Sequence, residues 1–404
     1  MRTLIHRAFF VVCLVGSLVV SLPALAEGLF DALANGTPKL ELRLSYENSD
    51  VKDNGTDAAS SMTMRTRVGY KSGNFGNSSL TFQLQDISAL VRNYSPVRPG
   101  YDKVADVEGA GVQELYLDSK LNDKFSSRLG RQEIIMRDAR LIGNIGWRQH
   151  GQSFDALKVT GKLSDNFTVL GGYVTRIKTI FNTQANIEYL GMMDVTYTGI
   201  KGHSIAGMAY LLDALGNAPT DRDKATYSLR AQGKFGQIEY MADYVTQKKY
   251  ADATAGGGTM VRGFVASKVG SSVKIGVGYS SLSGASGTDR AFDTLFSTAH
   301  KFNGWSDQFL STNGGGLTAG INDMYFQAGG SVSGSKLLAR YHIFDMETGS
   351  GTYGNEIDLL WKKKLHPHLT GLLKVAIYSA DAGNTAGVGS HDETVFWARG
   401  IYKF

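Results

Sequence analysis

The chain has 404 residues, 42% hydrophobic and 20% charged, with a formal net charge of +5 and a single cysteine. So small a charge excess gives no footprint for nucleic acid. One cysteine permits neither a disulfide framework nor a thiolate metal site. Beyond residue 26 no run approaches the roughly 18 apolar residues of a spanning helix, while rare proline, abundant glycine and many Tyr and Phe point to an exported all-β chain.

The first element is a secretory signal. Arg2, His6 and Arg7 form a basic start, Phe9 to Val20 an apolar run containing Cys13, and Ala24-Leu25-Ala26 a small-x-small site. Cleavage is expected after Ala26, giving residues 1–26 as signal and 27–404 as one transmembrane barrel.

From Lys39 onward the dominant signal has a period of two. Leu40, Leu42, Leu44 and Tyr46 alternate with Lys39, Glu41, Arg43 and Ser45; Met62, Met64 and Val68 alternate with Thr63, Arg65 and Arg67. Successive strand residues face opposite sides, so each strand has one apolar and one charged face. The same alternation recurs near 238–244, 273–279, 337–343, 356–361 and 373–378. Further candidates lie near 79–90, 111–119, 124–133, 153–161, 166–176, 187–198, 203–212, 225–233, 260–269, 322–331 and 394–404. The stretch 187–198 is the least regular; 111–119 and 153–161 have uncertain phase. Connections alternate between tight turns, such as 199–202 and 365–368, and long polar or glycine-rich loops, such as 134–152 and 283–320. This describes an all-β transmembrane antiparallel barrel of the outer-membrane type with about eighteen strands, sixteen being the alternative. The last strand ends in Phe404 with Tyr402, Ala398 and Phe396 on the same face. Such a terminus resembles the segment read by the barrel-assembly machinery.

Charges within such strands must face the lumen. The cationic set includes Arg43, Arg65, Arg67, Arg128, Arg230, Lys274, Lys336, Arg340, Lys374 and Arg399, against a smaller acidic set of Glu41, Glu239, Asp243, Glu356 and Asp358, with Glu114 and Asp155 as further candidates. Arg43, Arg65 and Arg67 stand on adjacent strands and Arg399 joins them across the closing seam. A basic wall selects anions. Residues 130–157, GRQEIIMRDARLIGNIGWRQHGQSFDAL, carry Arg137, Arg140, Arg148 and His150, with Leu141, Ile142, Ile145 and Trp147 among them. Apolar residues in an otherwise exposed loop predict that it folds into the barrel mouth. Residues 291–310, AFDTLFSTAHKFNGWSDQFL, predict a second loop that caps or narrows the pore from outside, with Trp305 packed in the loop core or, alternatively, stacking a sugar.

These two segments resemble the alginate export family of outer-membrane barrels, in the RQ…DAR…GNIGWRQ…FDA run and the TAHKFNGW run. The resemblance implies an eighteen-stranded barrel with an arginine-rich constriction, and makes Arg65, Arg67, Arg131, Arg137, Arg140 and Arg148 candidates for an anion-selective throat. The turn 365–368 is too short for the periplasmic plug of the family's founding barrel.

The expected function is a porin in the bacterial outer membrane, passing anionic solutes such as acidic sugars or carboxylates. The alternative is export of an anionic polysaccharide such as alginate. An outer-membrane hydrolase or an adhesin are the rivals; no HExxH or GxSxG motif occurs. No cofactor, metal site or catalytic residue is expected. The expected partners are outer-membrane lipids and lipopolysaccharide, the barrel-assembly machinery and an anionic small-molecule or oligosaccharide solute, with no nucleic acid.

Overall fold

The structure is a computed structural model that describes residues 22–185, 187–215, 222–312, 316–384 and 386–404. Cys13 and most of the expected signal lie outside the described residues. The expected cleavage point falls inside a helix, α1 (Leu22–Ala34), which docks on the turn after the second strand through Gly73 N–H to the Ala32 carbonyl, 2.8 Å.

Eighteen strands follow: β1 (Thr37–Val51), β2 (Ala59–Lys71), β3 (Ser78–Asn93), β4 (Gly109–Lys120), β5 (Phe125–Gln132), β6 (Ser153–Ser164), β7 (Phe167–Lys178), β8 (Ile187–Tyr197) and β9 (His203–Ala214). The second half comprises β10 (Lys224–Phe235), β11 (Ile238–Lys249), β12 (Thr259–Val269), β13 (Val273–Leu282), β14 (Ile321–Val332), β15 (Ser335–Asp345), β16 (Thr352–His366), β17 (Leu369–Ala380) and β18 (Glu393–Lys403). Each pairs antiparallel with its neighbours in sequence, and β18 pairs with β1. Phe404 and Leu40 exchange backbone hydrogen bonds of 2.9 and 3.0 Å, so the seam is sealed at its periplasmic end. Closure removes the sheet edges that a bilayer could not satisfy.

All eighteen strands expected from the alternation are present, so the sixteen-strand alternative falls. Several run higher than the hydropathy suggested. β1 continues from Tyr46 to Val51. Above the bilayer the outer face no longer has to be apolar, so Asn48 and Asp50 can extend the ladder without extending the pattern.

The alternation sorts cleanly by burial. Along β1 and β2, Arg43, Ser45, Glu47, Thr63, Arg65 and Arg67 are buried inside the barrel, whereas Leu44 and Val68 are exposed on its outer wall. The irregularity of β8 has a physical cause: Leu190 and Met192 point inward and are fully covered, while Met193 points outward. Around residues 190–193 both faces of β8 are therefore free of charge, which hides the alternation. The phase uncertainty in β4 has another: its register with β3 shifts at Gln83/Leu84, where a bulge interrupts the period.

Candidate functional site

Both long loops, 133–152 and 283–320, fold into the barrel and meet there. Ile142 and Phe296 form an isolated parallel bridge, with Gly143 N–H to the Phe296 carbonyl and Phe296 N–H to the Leu141 carbonyl, each 2.9 Å. Gln152 Nε2 ties the pair further, donating to the carbonyls of Gly143 (2.7 Å) and Phe296 (3.1 Å). These bonds satisfy part of the backbone that the two segments take out of water.

One side of this double loop is apolar. Leu141, Ile142, Phe292, Leu295, Phe296 and Phe309 join one buried cluster with Phe154, Ile177, Leu190, Met192, Tyr210, Val245 and Met260, which project inward from β6 to β12. Burial of that surface explains why two apolar segments leave the extracellular side.

The other side meets the basic wall. Arg43 Nη1 donates to the carbonyls of Gly146 (3.0 Å) and Arg148 (3.2 Å), Arg65 Nη1 to that of Gln149 (2.9 Å), and Arg399 Nη1 to that of Trp147 (2.6 Å). Arg65 also pairs with Glu41 and is only 1% exposed. Arg67 lies between Gln85 (3.0 Å) and Glu133 (3.5 Å). The structure does bring Arg43, Arg65, Arg67 and Arg399 together, as the strand order implied. Their hydrogen bonds, however, go to loop carbonyls, to carboxylates and to the strand side chains of Gln85 and Ser45.

Arg148 knots three elements, bonding Glu47 of β1 at 2.9 Å and Asp307 of the second loop at 3.0 Å. Burial opposes its charge, but these carboxylates hold the guanidinium above its ordinary range. Asp307 in turn accepts from His300 Nδ1 at 2.9 Å, and Lys374 Nζ stands 2.5 Å from His300 Nε2. Burial pushes the His300 imidazole down to about 3. Three tryptophans close around this point. Trp147 stacks on His300 at 4.4 Å, and the Lys374 ammonium lies 3.6 Å from the centre of Trp305, 4.2 Å from Trp147 and 5.1 Å from Trp397. Trp305 is buried against the barrel wall, with Ala376, Val395 and Trp397 of β17 and β18 and with Trp147 of the first loop, rather than in the core of its own loop.

Three cavities surround the double loop. The extracellular one, about 290 Å³, is lined by Glu47, Asp307 and Glu393 together with Arg148, Lys103 and His391. On the periplasmic side of the first loop, a second of about 290 Å³ is lined by Arg137, Asp138, Thr196, Ser204, Arg230 and Gln232. A third of about 330 Å³ is bounded by Arg262, Lys301, Tyr325, Arg340 and His342. Asp138 bridges Arg230 and Arg262 at 3.0 Å each; burial raises its carboxyl, but the two guanidiniums outweigh that and hold it low. Arg137 bonds Asp194 through Nε at 2.8 Å, leaving Nη1 and Nη2 without a hydrogen-bond partner among the described residues. Arg140 bonds Asn303 and lies over the Phe302 ring; burial first, then Arg262, lowers it to about 9.

Two residues fall elsewhere than expected. Arg131 and Asp155 pair directly across β5 and β6, two positions above the outward pair of exposed Leu129 and half-buried Leu157, so both face outward rather than into the lumen. Arg131 belongs to β5, as the strand expected near 124–133 implied; what differs is the side it faces. Arg128 is inside, against Asp118 (2.6 Å) near the periplasmic end. Glu47, His300, Asp307 and Asp138 were not singled out by sequence reasoning. Glu47 alone carried a usable signal, since it continues the lumen parity of Lys39, Glu41, Arg43 and Ser45.

A family model described as alginate export matches residues 38–348. A search of curated proteins found no match. Among solved structures, Acinetobacter baumannii OccAB4 is 13% identical with a TM-score of 0.70, covering 91% of this chain and 98% of its own. Pseudomonas aeruginosa OpdK, solved with vanillate, is 14% identical with a TM-score of 0.70, covering 92% of this chain and 99% of its own. P. aeruginosa OccK11 (OpdR) is 14% identical with a TM-score of 0.68, covering 93% and 97%. At these identities the likeness is one of fold. The matched family, the closed eighteen-stranded barrel and the apolar outer wall agree: this chain belongs to the alginate export family and is a porin-like β-barrel of the bacterial outer membrane.

Proposed function

We propose that the barrel passes small anionic solutes, of the size of a sugar acid or a simple carboxylate, and that selection occurs beside the double loop. The observation that carries this reading is Arg137. Its terminal nitrogens are buried without hydrogen-bond partners among the described residues, and the side chain lines a cavity that also offers Ser204, Thr196 and Gln232, so a small shift of the guanidinium would present it to a solute there. A guanidinium fork grips a carboxylate with two hydrogen bonds. Arg340 and Lys301 add cationic character to the neighbouring cavity. Cavities near 300 Å³ suit a small molecule rather than a polymer. The two-residue turn between β16 and β17 likewise offers no material for a plug. Both points favour small solutes over polysaccharide export. OpdK, similar in fold, was solved with vanillate, itself a small carboxylate.

In this reading the protein is a channel rather than an enzyme or an adhesin. Residues 1–26 are its cleaved signal, and the exposed C-terminal Phe404 is offered to the assembly machinery. Reversal potentials in a salt gradient test the selectivity. Replacing Arg137 and Arg340 with Ser should lower the anion-to-cation permeability ratio, most at low salt, where screening is weakest. An unchanged ratio would overturn the proposal.

A further inference from the structure

High on β5 to β7 the lipid-facing side of the wall carries charge. Leu129 and Leu157 form an outward pair, and the next pair above them on that face is Arg131 with Asp155. Arg131 is also in register with the exposed Leu115 of β4. Arg176 of β7 is in register with Asp155. The residues of opposite parity, Gln132, Phe154 and Ile177, are completely buried in the lumen. The charges therefore stand outside the barrel, at the long-loop end of their strands. In an outer-membrane barrel that end is extracellular, so they lie against the outer leaflet.

The cluster is unbalanced. Asp155 accepts two bonds from Arg131, through Nε at 2.7 Å and Nη2 at 2.9 Å. Arg176 approaches the same carboxylate only to 3.9 Å, and its side chain is 53% exposed. One carboxylate thus faces two guanidiniums. Lys178, two residues further up β7, turns away and reaches Gln113 at 3.3 Å.

We propose that Arg131 and Arg176 form a binding site for a phosphate group of an outer-leaflet glycolipid. Arginine forks match phosphate oxygens with paired hydrogen bonds. Asp155 holds the Arg131 plane in place, and the exposed Arg176 is the arm that reaches the ligand. The lipid chains then lie against Leu129, Leu157 and Leu115, just below on the same face.

The test uses the full-length barrel purified in detergent, titrated with bis-phosphorylated lipid A and with the same lipid lacking phosphate, bound lipid being read by native mass spectrometry. The double change Arg131→Ser with Arg176→Ser should weaken binding of the phosphorylated lipid about tenfold, leaving the phosphate-free lipid as weakly bound as before. Arg176→Ser alone touches only an exposed side chain, so it remains informative if the double variant assembles poorly; it should weaken binding about threefold. Its reversal potential should equal the wild type's, because Arg176 is outside the lumen. Equal affinity of wild type and Arg176→Ser would overturn the proposal. So would tight binding of the phosphate-free lipid. A dimer that Arg176→Ser dissociates would also overturn it, by making a second copy of the chain the occupant.

Discussion

The double loop is held in two contrasting ways. Toward β6 to β12 it is buried by apolar side chains; toward β18, β1 and β2 it is gripped by Arg43, Arg65 and Arg399 through its own carbonyls. The apolar side is strong but undemanding, since burial is roughly proportional to area and has no direction. The arginine side is directional. Each guanidinium must find oxygens at hydrogen-bond distance or lie buried without partners. The first wall draws the loops into the lumen, and the second fixes the position of residues 146–149 within it. Arginines that look like a selectivity filter from the strands alone are, in this barrel, largely a clamp.

The comparison breaks most visibly if the clamp is removed. Changing Arg43 and Arg65 together to Ser deletes the bonds to Gly146, Arg148 and Gln149 and unpairs Arg65 from Glu41. Breaking one buried ion pair from one side costs about 3–5 kcal/mol. Residues 146–149 should come away from the wall, with single-channel conductance rising several-fold. Unchanged conductance would mean that the apolar side positions the loop alone. Phe296→Ala attacks that apolar side. It should cost about 3–5 kcal/mol, seen as a lower temperature for loss of the heat-modifiable band. It should leave the anion-to-cation permeability ratio unchanged, because no charge is altered; a changed ratio would show that the two walls are not separable.

A pH titration probes the knot between the two loops. The His300 imidazole, ordinarily near 6.5, is pushed down to about 3 by burial, with Lys374 adding to the effect and Asp307 opposing it. A histidine with a depressed value binds its proton more readily when released. Its contribution to the docked state is therefore complete above about 6.5 and is lost as pH falls toward 3. The slope is at most about 1.4 kcal/mol per pH unit for one group. Channel current should grow noisier between pH 6 and 4 (about the middle of that window), and His300→Gln should flatten the dependence. A noise profile identical in the variant would locate the titrating group elsewhere.

Strand number, order and lumen parity were legible in the sequence because a bilayer enforces a period of two. Leu40 to Tyr46 must face lipid, so Lys39 to Ser45 must face water. The loops obey no such period. Their apolar content pointed to 134–152 folding inward and to 283–320 capping or narrowing the pore from outside, but not to the two meeting inside the barrel or to which wall they meet. That Arg65 ends on a loop carbonyl depends on a contact across 84 residues of sequence, which no local pattern encodes. Nor could spacing join Glu47, Arg148 and Asp307. Arg131 misled for a simpler reason. Charges were assigned to the lumen as a rule, and the rule weakens at the membrane interface, where an outward charge costs little.

The smallest effect is expected at Arg128, which marks the lower limit of the comparison. It is a lumen arginine by parity, yet it belongs to neither wall of the double loop. It bonds Asp118 at 2.6 and 2.9 Å, stacks over Tyr116 at 3.9 Å, and its side chain is 28% exposed near the periplasmic mouth. Ion pairs this open to water contribute about 0–1 kcal/mol. Arg128→Ser should therefore leave the heat-modifiable band and the conductance as they are. Its charge is largely cancelled by Asp118 and screened beyond about 10 Å near 0.1 M salt, so the reversal potential should move by less than in the Arg137 and Arg340 variant. If Arg128→Ser shifted selectivity as far as that pair does, the field at the periplasmic mouth would govern the permeating ions. The cavities beside the double loop would then be passages rather than the place of selection.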